Sequence, residues 1–553
     1  MEIGKAEQEE LKQPWPQPLN RLDILLAVIV GTCALAAYVR TLAPGGLYGD
    51  SAEFQTLAYT LGVTHPSGYP IYLFFAKLMT FLPIQSVAWR VNFVSAFCGA
   101  LTLVGLYLSV RLLTRSRMGA VLGSVILGIG YTFWSQAIIA EVYTTATFCV
   151  VAVMLLLWHW HVDPTRRGIT LFFACLLVGL GIHITIELVI PAMVVFVFWN
   201  LAALRLPAKE WWRSILWAGG GAALGVTIFF LAFLVLDLNN PPTSYIQVTL
   251  IPSRSAWGVQ LTDLDSPLER FSATVLGLQW RRSMFSGNLP FMLGQLKQYV
   301  KWALKYDLTL WIILFALLGI ATILRYRLRW GGFLLIYGAI LLFLILNYEG
   351  PGKFVFYPTT YLLIAIAAGT GVGVVLDRLH QFLVSASESR ILIIYPAAVV
   401  LMTLVVVIPF WGSRWQAIRA GAAQFVKDED TYPVYNLKEP QQQAEQRLSQ
   451  VEEDAVFILD WKTLYATYYV AVVEQGRTGI KFMEDCINRD DHLLADTLIQ
   501  EIAIELHMGH PVYSDRPYPY LEQSFNFEPV PGTDLVRMSL KLNPNSFPKP
   551  VIP

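Results

Sequence analysis

The sequence predicts a multi-pass α-helical membrane protein with a small C-terminal α/β domain, and three observations lead there. Its 553 residues are 55% hydrophobic and only 14% charged, too apolar for a soluble domain of that length. About eleven apolar runs are long enough, or nearly so, to cross a bilayer. After residue 412 the pattern changes to short apolar and amphipathic segments that alternate, as strands and helices do in a layered α/β unit.

A polar, proline-containing tail (1–21) precedes the first run, Leu22 to Tyr38. No small-residue cleavage site follows that run, so it reads as a retained signal anchor. The expected spans lie near 22–40, 91–112, 118–134, 142–160, 169–182, 185–203, 214–237, 308–324, 331–347, 357–376 and 391–411. With the N-terminus cytoplasmic, the inner loops hold Arg111, Arg115 and Arg117; Arg166 and Arg167; Arg205, Lys209 and Arg213; Arg325, Arg327 and Arg329; Arg378 and Arg390. Each is basic, as the positive-inside rule requires. The expected plan is therefore a membrane domain over 22–411, with outer loops at 41–90 and 238–307, and an outer-facing soluble domain over 412–553. The membrane would be the plasma membrane in a prokaryote and the endoplasmic reticulum in a eukaryote.

Within the soluble domain, 455–459, 480–483 and 512–514 read as strands of a mostly parallel sheet, with helices over 462–474 and 492–507. No Gly-rich phosphate loop opens either helix, so no nucleotide site is expected. The Gln- and Glu-rich stretch 412–452 reads as a partly ordered connector.

Lys+Arg and Asp+Glu are equal at 40 each, so net charge gives no reason to expect nucleic acid as a partner; the lipid bilayer is the partner that composition implies. Four of five cysteines fall in apolar runs and Cys486 stands alone, without disulfide or zinc spacing. Asp263-Leu-Asp265 and His507-Met-Gly-His510 each lack a third ligand, so no metal site is assigned and no cofactor is expected, a divalent metal remaining the alternative.

The chemistry-bearing residues gather on the outer face. Asp50 and Glu53, in Gly49-Asp-Ser-Ala-Glu53, are three apart: they share a face if the segment is helical, or form an N-cap and capping box. His65-Pro-Ser-Gly-Tyr-Pro70 is a rigid turn, leading into an amphipathic stretch, 71–82, that reads as an interfacial helix. Glu141 and Tyr143 open a span, where a carboxylate either anchors the helix N-terminus or faces a ligand. His183, between two short runs, is either a hydrogen-bonded structural residue or a ligand. Arg90, Arg254, Arg281, Arg282 and Lys353 run against the positive-inside trend, and outer cations suit either headgroups or a lipid phosphate.

Gly49–Glu53, Leu61–Pro70 and Ala88-Trp-Arg-Val-Asn92 with Ser95-Ala96 together resemble the amino-terminal signature of the transmembrane protein 260 family. Ala140–Tyr143 and Gly181-Ile-His183 add to the match. That family resembles the protein O-mannosyltransferases, within the C-type (GT-C) membrane glycosyltransferases. Ser67 stands where the family more often has proline and Ala52 where glycine is usual; neither change touches a carboxylate.

The resemblance implies an enzyme that takes a sugar, mannose or a similar hexose, from a polyprenyl-phosphate donor to a hydroxyl on a protein, lipid or glycan acceptor. The catalytic acid of the first outer loop corresponds to Asp50, assisted by Glu53. His65, Tyr69, Arg90, Glu141, Tyr143, His183, Arg281, Arg282 and Lys353 are the expected substrate-binding residues, and the reaction is expected to need no metal. Two competitors stand beside it. A secondary transporter requires ionisable groups at midplane and an internal repeat, and a scaffold would work through its C-terminal domain.

Overall fold

The computed structural model describes residues 19–114, 116–205, 207–277, 285, 287–350, 352–386, 388–421, 438–486 and 493–541. Most of the tail at 1–21, the Arg281–Arg282 pair and part of the expected connector (422–437) lie outside these. The helices are α1 (Arg21–Arg40), α2 (Gly49–Thr60), α3 (Pro70–Thr80), α4 (Val87–Leu113), α5 (Arg117–Gly128), α6 (Tyr131–Ala137), α7 (Tyr143–Val162), α8 (Arg166–Val178), α9 (Ile190–Ala203) and α10 (Ala208–Asn239). They continue as α11 (Pro267–Val275), α12 (Leu289–Tyr306), α13 (Leu310–Tyr326), α14 (Leu328–Asn347), α15 (Tyr357–Ala386), α16 (Glu388–Ala420), α17 (Glu439–Leu448), α18 (Trp461–Tyr469) and α19 (Asp496–His507). The strands are β1 (Val456–Leu459), β2 (Lys481–Glu484), β3 (Val512–Ser514), β4 (Phe525–Pro529) and β5 (Val536–Leu540).

Among the described residues, eight helices are long and apolar enough to cross a membrane, or up to ten if each of two bent pairs counts as one span. The expectation of eleven changes at three places. The run at 118–134 is broken into α5 and α6, bent by 70° at Ile129-Gly130. The run at 308–324 is α13, bent by 112° from α12, so α12 occupies residues expected in the outer loop 238–307. The run at 169–182 yields only the 13-residue α8 and a 3-10 turn, Gly179–Gly181, too short to span by itself.

The chain divides into two compact units, one of residues 1–42, 93–228 and 282–435, the other of 43–92, 229–281 and 436–553. In the first, α15 packs closely on both α5 and α13. A Cβ at Gly319 would lie 1.8 Å from the Ala367 carbonyl, one at Gly371 2.0 Å from that of Phe315, and one at Gly119 2.5 Å from that of Gly369. Small residues let these backbones touch where lipid offers no hydrophobic drive for association.

Both helix breaks in this unit meet at Asp307, whose carboxylate accepts from the Thr132 amide at 2.8 Å and hydroxyl at 2.5 Å. The carboxylate thereby takes the amide donors that open α6. Trp302 adds an indole N–H to the same hydroxyl at 2.8 Å. Asp23, fully buried, accepts from Arg111 at 2.9 Å and Arg117 at 2.8 Å, fastening α1 to α4 and α5.

The second unit contains a five-stranded sheet of order β2-β1-β3-β5-β4. β1, β2 and β3 pair in parallel, and β5 and β4 add an antiparallel edge. The fully buried β1 sits between two parallel neighbours. The β4–β5 hairpin is an addition to the expected strands. So is α17, where a connector was expected: Arg447 holds Asp534 through two bonds of 2.8 and 2.7 Å. α18 packs along α2.

Candidate active site

α2 begins with Tyr48 in extended conformation at the N-cap, and no side chain caps it. The capping alternative for Asp50 and Glu53 therefore falls, and both turn to one histidine. The helix ends at Leu61 in the left-handed region, and the chain returns so that the His65 amide donates to Glu53 Oε1 at 2.7 Å. Glu53 Oε2 lies 2.5 Å from His65 Nδ1, and Asp50 Oδ2 lies 4.0 Å from His65 Nε2. Gly68 and Tyr69 both take positive φ, 80° and 43°. Tyr69 thereby becomes the N-cap residue of α3 with Pro70 at its first position.

The local hydrogen bonds assign the proton. Tyr69 donates to the Pro66 carbonyl at 2.8 Å, so its oxygen receives from His65 Nε2 at 3.2 Å and Nε2 carries hydrogen. Burial pushes Glu53 above the usual carboxylate range, with His65 opposing. Glu53 Oε2 and His65 Nδ1 are hydrogen-bonded over 2.5 Å, and His65 Nε2 is the ring atom that faces Asp50. Glu53 is fully buried, whereas the Asp50 side chain is 28% exposed. One carboxylate is structural in its setting and the other is open to a ligand.

Asp50 has a second partner: the Trp461 indole N–H donates to Oδ1 at 2.6 Å. Trp461 also stands edge-on to His65, with centroids 5.6 Å apart. Its backbone leaves the carboxyl end of β1 through Asp460, which accepts from the Thr463 amide at 2.9 Å and hydroxyl at 2.6 Å. Asp515, following β3, accepts from the Asp460 amide at 3.0 Å. Tyr465, one turn along α18, donates to the Thr243 carbonyl at 3.0 Å. Glu484, closing β2, is pushed up to about 7 by burial, reinforced by the Glu53 and Asp460 charges and opposed by Thr249 and His65.

The sequence reading did not single out Trp461, Tyr465 or Glu484. Trp461 and Glu484 lie at carboxyl ends of parallel strands, where α/β sheets place functional groups; that rule was available, but the contact with α2 was not.

The other expected residues fall elsewhere. Arg90 serves backbone carbonyls: Nη1 donates to Thr80 at 2.6 Å and to Leu82, and Nε to Ser86 at 3.2 Å. Arg254 donates to the Ile251 carbonyl at 2.7 Å. In the other unit, the Tyr143 ring lies 5.2 Å from His183 and 5.8 Å from Phe356. Tyr143, Thr185, Leu341 and Phe356 line a cleft there. His183 Nδ1 accepts from the Thr185 amide at 3.1 Å, and the buried Glu141 precedes Tyr143 by two residues. Lys353 sits 4.9 Å over the Phe291 ring. Among the described residues no three His, Cys, Asp or Glu side chains group as metal ligands.

The motif and fold match known proteins. Residues 50–205 match the family model of the protein O-mannosyl-transferase TMEM260 N-terminal domain. A mouse protein O-mannosyl-transferase TMEM260 is 29% identical over 254 residues, 45% of this chain and 33% of the relative. One from Dictyostelium discoideum is 26% identical over 198 residues, 33% of this chain and 24% of the relative. The matched stretches thus span a third or less of these relatives. Two crystal structures share the fold at 13% identity. They are ArnT from Cupriavidus metallidurans bound to undecaprenyl phosphate (TM-score 0.50, 94% of this chain and 97% of that one) and the Archaeoglobus fulgidus oligosaccharyltransferase in complex with zinc and sulfate (TM-score 0.51, 89% and 68%). Residues 50–205, where Asp50, Glu53, His65 and Tyr143 all lie, thus match the TMEM260 N-terminal-domain model, and the chain shares its fold with ArnT and the oligosaccharyltransferase.

Proposed function

We propose that this protein is a membrane glycosyltransferase that moves a sugar from a polyprenyl-phosphate donor to an acceptor hydroxyl, with Asp50 as general base. The observation that carries this reading is the setting of Asp50: a partly exposed carboxylate that caps nothing, held at one oxygen by Trp461 and faced at the other by His65. Asp50 takes the acceptor proton as the acceptor oxygen bonds to the anomeric carbon. The bond from that carbon to the phosphate oxygen breaks, its electron pair leaving on the lipid phosphate. A single displacement of this kind inverts the anomeric configuration. For this step the base and the acceptor hydroxyl must meet within hydrogen-bond reach.

The TMEM260 relatives, named as protein O-mannosyl-transferases, support mannose as the sugar and protein as the acceptor. ArnT, crystallised with undecaprenyl phosphate, supports a polyprenyl phosphate as the carrier. Tyr143 and His183 are proposed to bind substrate, and Lys353 and the Arg281–Arg282 pair to supply phosphate contacts, whereas Arg90, bonded to the Thr80, Leu82 and Ser86 carbonyls, is not retained for that role. The reaction is proposed to proceed on the outer face without a metal. Incubating purified protein with a panel of polyprenyl-phosphate sugars and a hydroxyl acceptor tests this. Release of free lipid phosphate with labelled acceptor is expected for one sugar, and turnover of none across the panel would count against the assignment.

A further inference from the structure

We propose that Trp461, delivered by the C-terminal sheet, is a positioning residue for Asp50, so that the C-terminal domain completes the active site. The inference rests on the reading of Asp50 as base.

Three observations carry it. The indole N–H donates to Asp50 Oδ1 at 2.6 Å. A carboxylate on a short side chain turns about two bonds, and a fixed donor at one oxygen fixes the direction of the other. The donor is itself fixed. Trp461 is the first residue of α18, separated by Asp460 from β1, which lies between its two parallel neighbours, with its turn tied by Asp460 to Thr463 and by Asp515 to the Asp460 amide.

The surrounding packing holds the ring in register. His65 and Tyr245 stand edge-on to it at 5.6 and 6.3 Å. α18 is fastened to the Asp50 region along its length: the Tyr469 hydroxyl accepts from the Ala88 amide at 2.9 Å, and Tyr465 bonds Thr243. A solvent-facing accessory domain would need none of these ties. Residues held by packing and backbone bonds are those that orient a reacting group without touching substrate.

The test uses the full chain. Trp461→Phe keeps the ring and deletes the donor; benzothienylalanine at 461 keeps nearly the whole indole shape and deletes only the N–H, which guards against a folding defect in the Phe variant. Maximal turnover is expected to fall about tenfold in both, with the donor KM within about twofold of wild type. In an Asp50→Asn background the same replacements are expected to change turnover by less than about twofold, because the donor then has no carboxylate to aim. Wild-type turnover in the benzothienylalanine protein overturns the proposal and leaves Asp50 untouched. An equal tenfold loss in the Asp50→Asn background also overturns it. Normal turnover of Asp50→Asn alone removes the base assignment and this proposal with it.

Discussion

Asp50 and Glu53 show how one helix face gives two carboxylates different work. Glu53 is fully buried and hydrogen-bonded to His65, whereas Asp50 is partly exposed, accepts from Trp461 and lies 4.0 Å from His65 Nε2. Asp50→Asn keeps the shape and removes the base, so turnover should fall by about 100-fold or more in a normally folded protein. Normal turnover there would dismiss Asp50 from the chemistry. Glu484 allows a separate test through pH. Its folded value, about 7, lies above the ordinary 4.5, so the native state holds this proton more tightly than the unfolded chain does. That contribution is complete below about pH 4.5 and is lost as pH rises through about 7. Glu484→Gln should therefore leave the thermal midpoint near wild type at about pH 5 and raise it above wild type at about pH 9. Parallel midpoints at both values would mean that Glu484 is solvated.

Among the elements, α15 depends on glycine where it meets α5 and α13. A methyl at Gly371 would press on the Phe315 carbonyl, and backbone cannot yield as a side-chain tip can. Gly371→Ala should cost about 1–3 kcal/mol and lower the thermal midpoint, whereas Gly412→Ala, with open space around its Cβ, should be neutral. Similar losses at both positions would mean that close packing at Gly371 does not set the effect, since alanine is the better helix former at both. The Asp23 contact with Arg111 and Arg117 gives these two cations of the expected inner loops a structural role. Asp23→Asn would leave Arg111, itself buried, short of its charge partner and should destabilise by about 3 kcal/mol, read as a lower midpoint in detergent. An unchanged midpoint would show the triad to be solvated.

For the whole molecule, residues 43–92, 229–281 and 436–553 form one compact unit, which takes in most of the expected outer loop 41–90, part of the expected outer loop 238–307 and most of the expected outer domain 412–553. Single cysteines at Lys209 and Thr262, both exposed, in a background without the native five, should react with an impermeant reagent from opposite sides. Labelling of both from one side would overturn the proposed orientation. The two bent pairs show why hydropathy alone miscounts spans. A window of apolar residues registers length and composition, but a break depends on a partner, here Asp307 on the Thr132 amide.

The sequence by itself determined the membrane class, most of the spans, the three parallel strands and the grouping of Asp50, Glu53, His65 and Tyr69. Each is written in short-range pattern: apolar run length, or a turn that brings residues a dozen apart back to one helix face. The β4–β5 hairpin was not among the expected strands, although Phe525-Asn-Phe-Glu and Val536-Arg-Met-Ser-Leu alternate around Pro531-Gly532. Tertiary structure alone decided that Asp50 caps nothing and that Arg90 is occupied by carbonyls. It alone brought Trp461 to Asp50, 411 positions away in the chain. Local periodicity says which face of a helix is buried, but not which distant side chain covers it. That depends on how strand β1 and helix α18 pack on α2, a pairing of surfaces that no local pattern encodes.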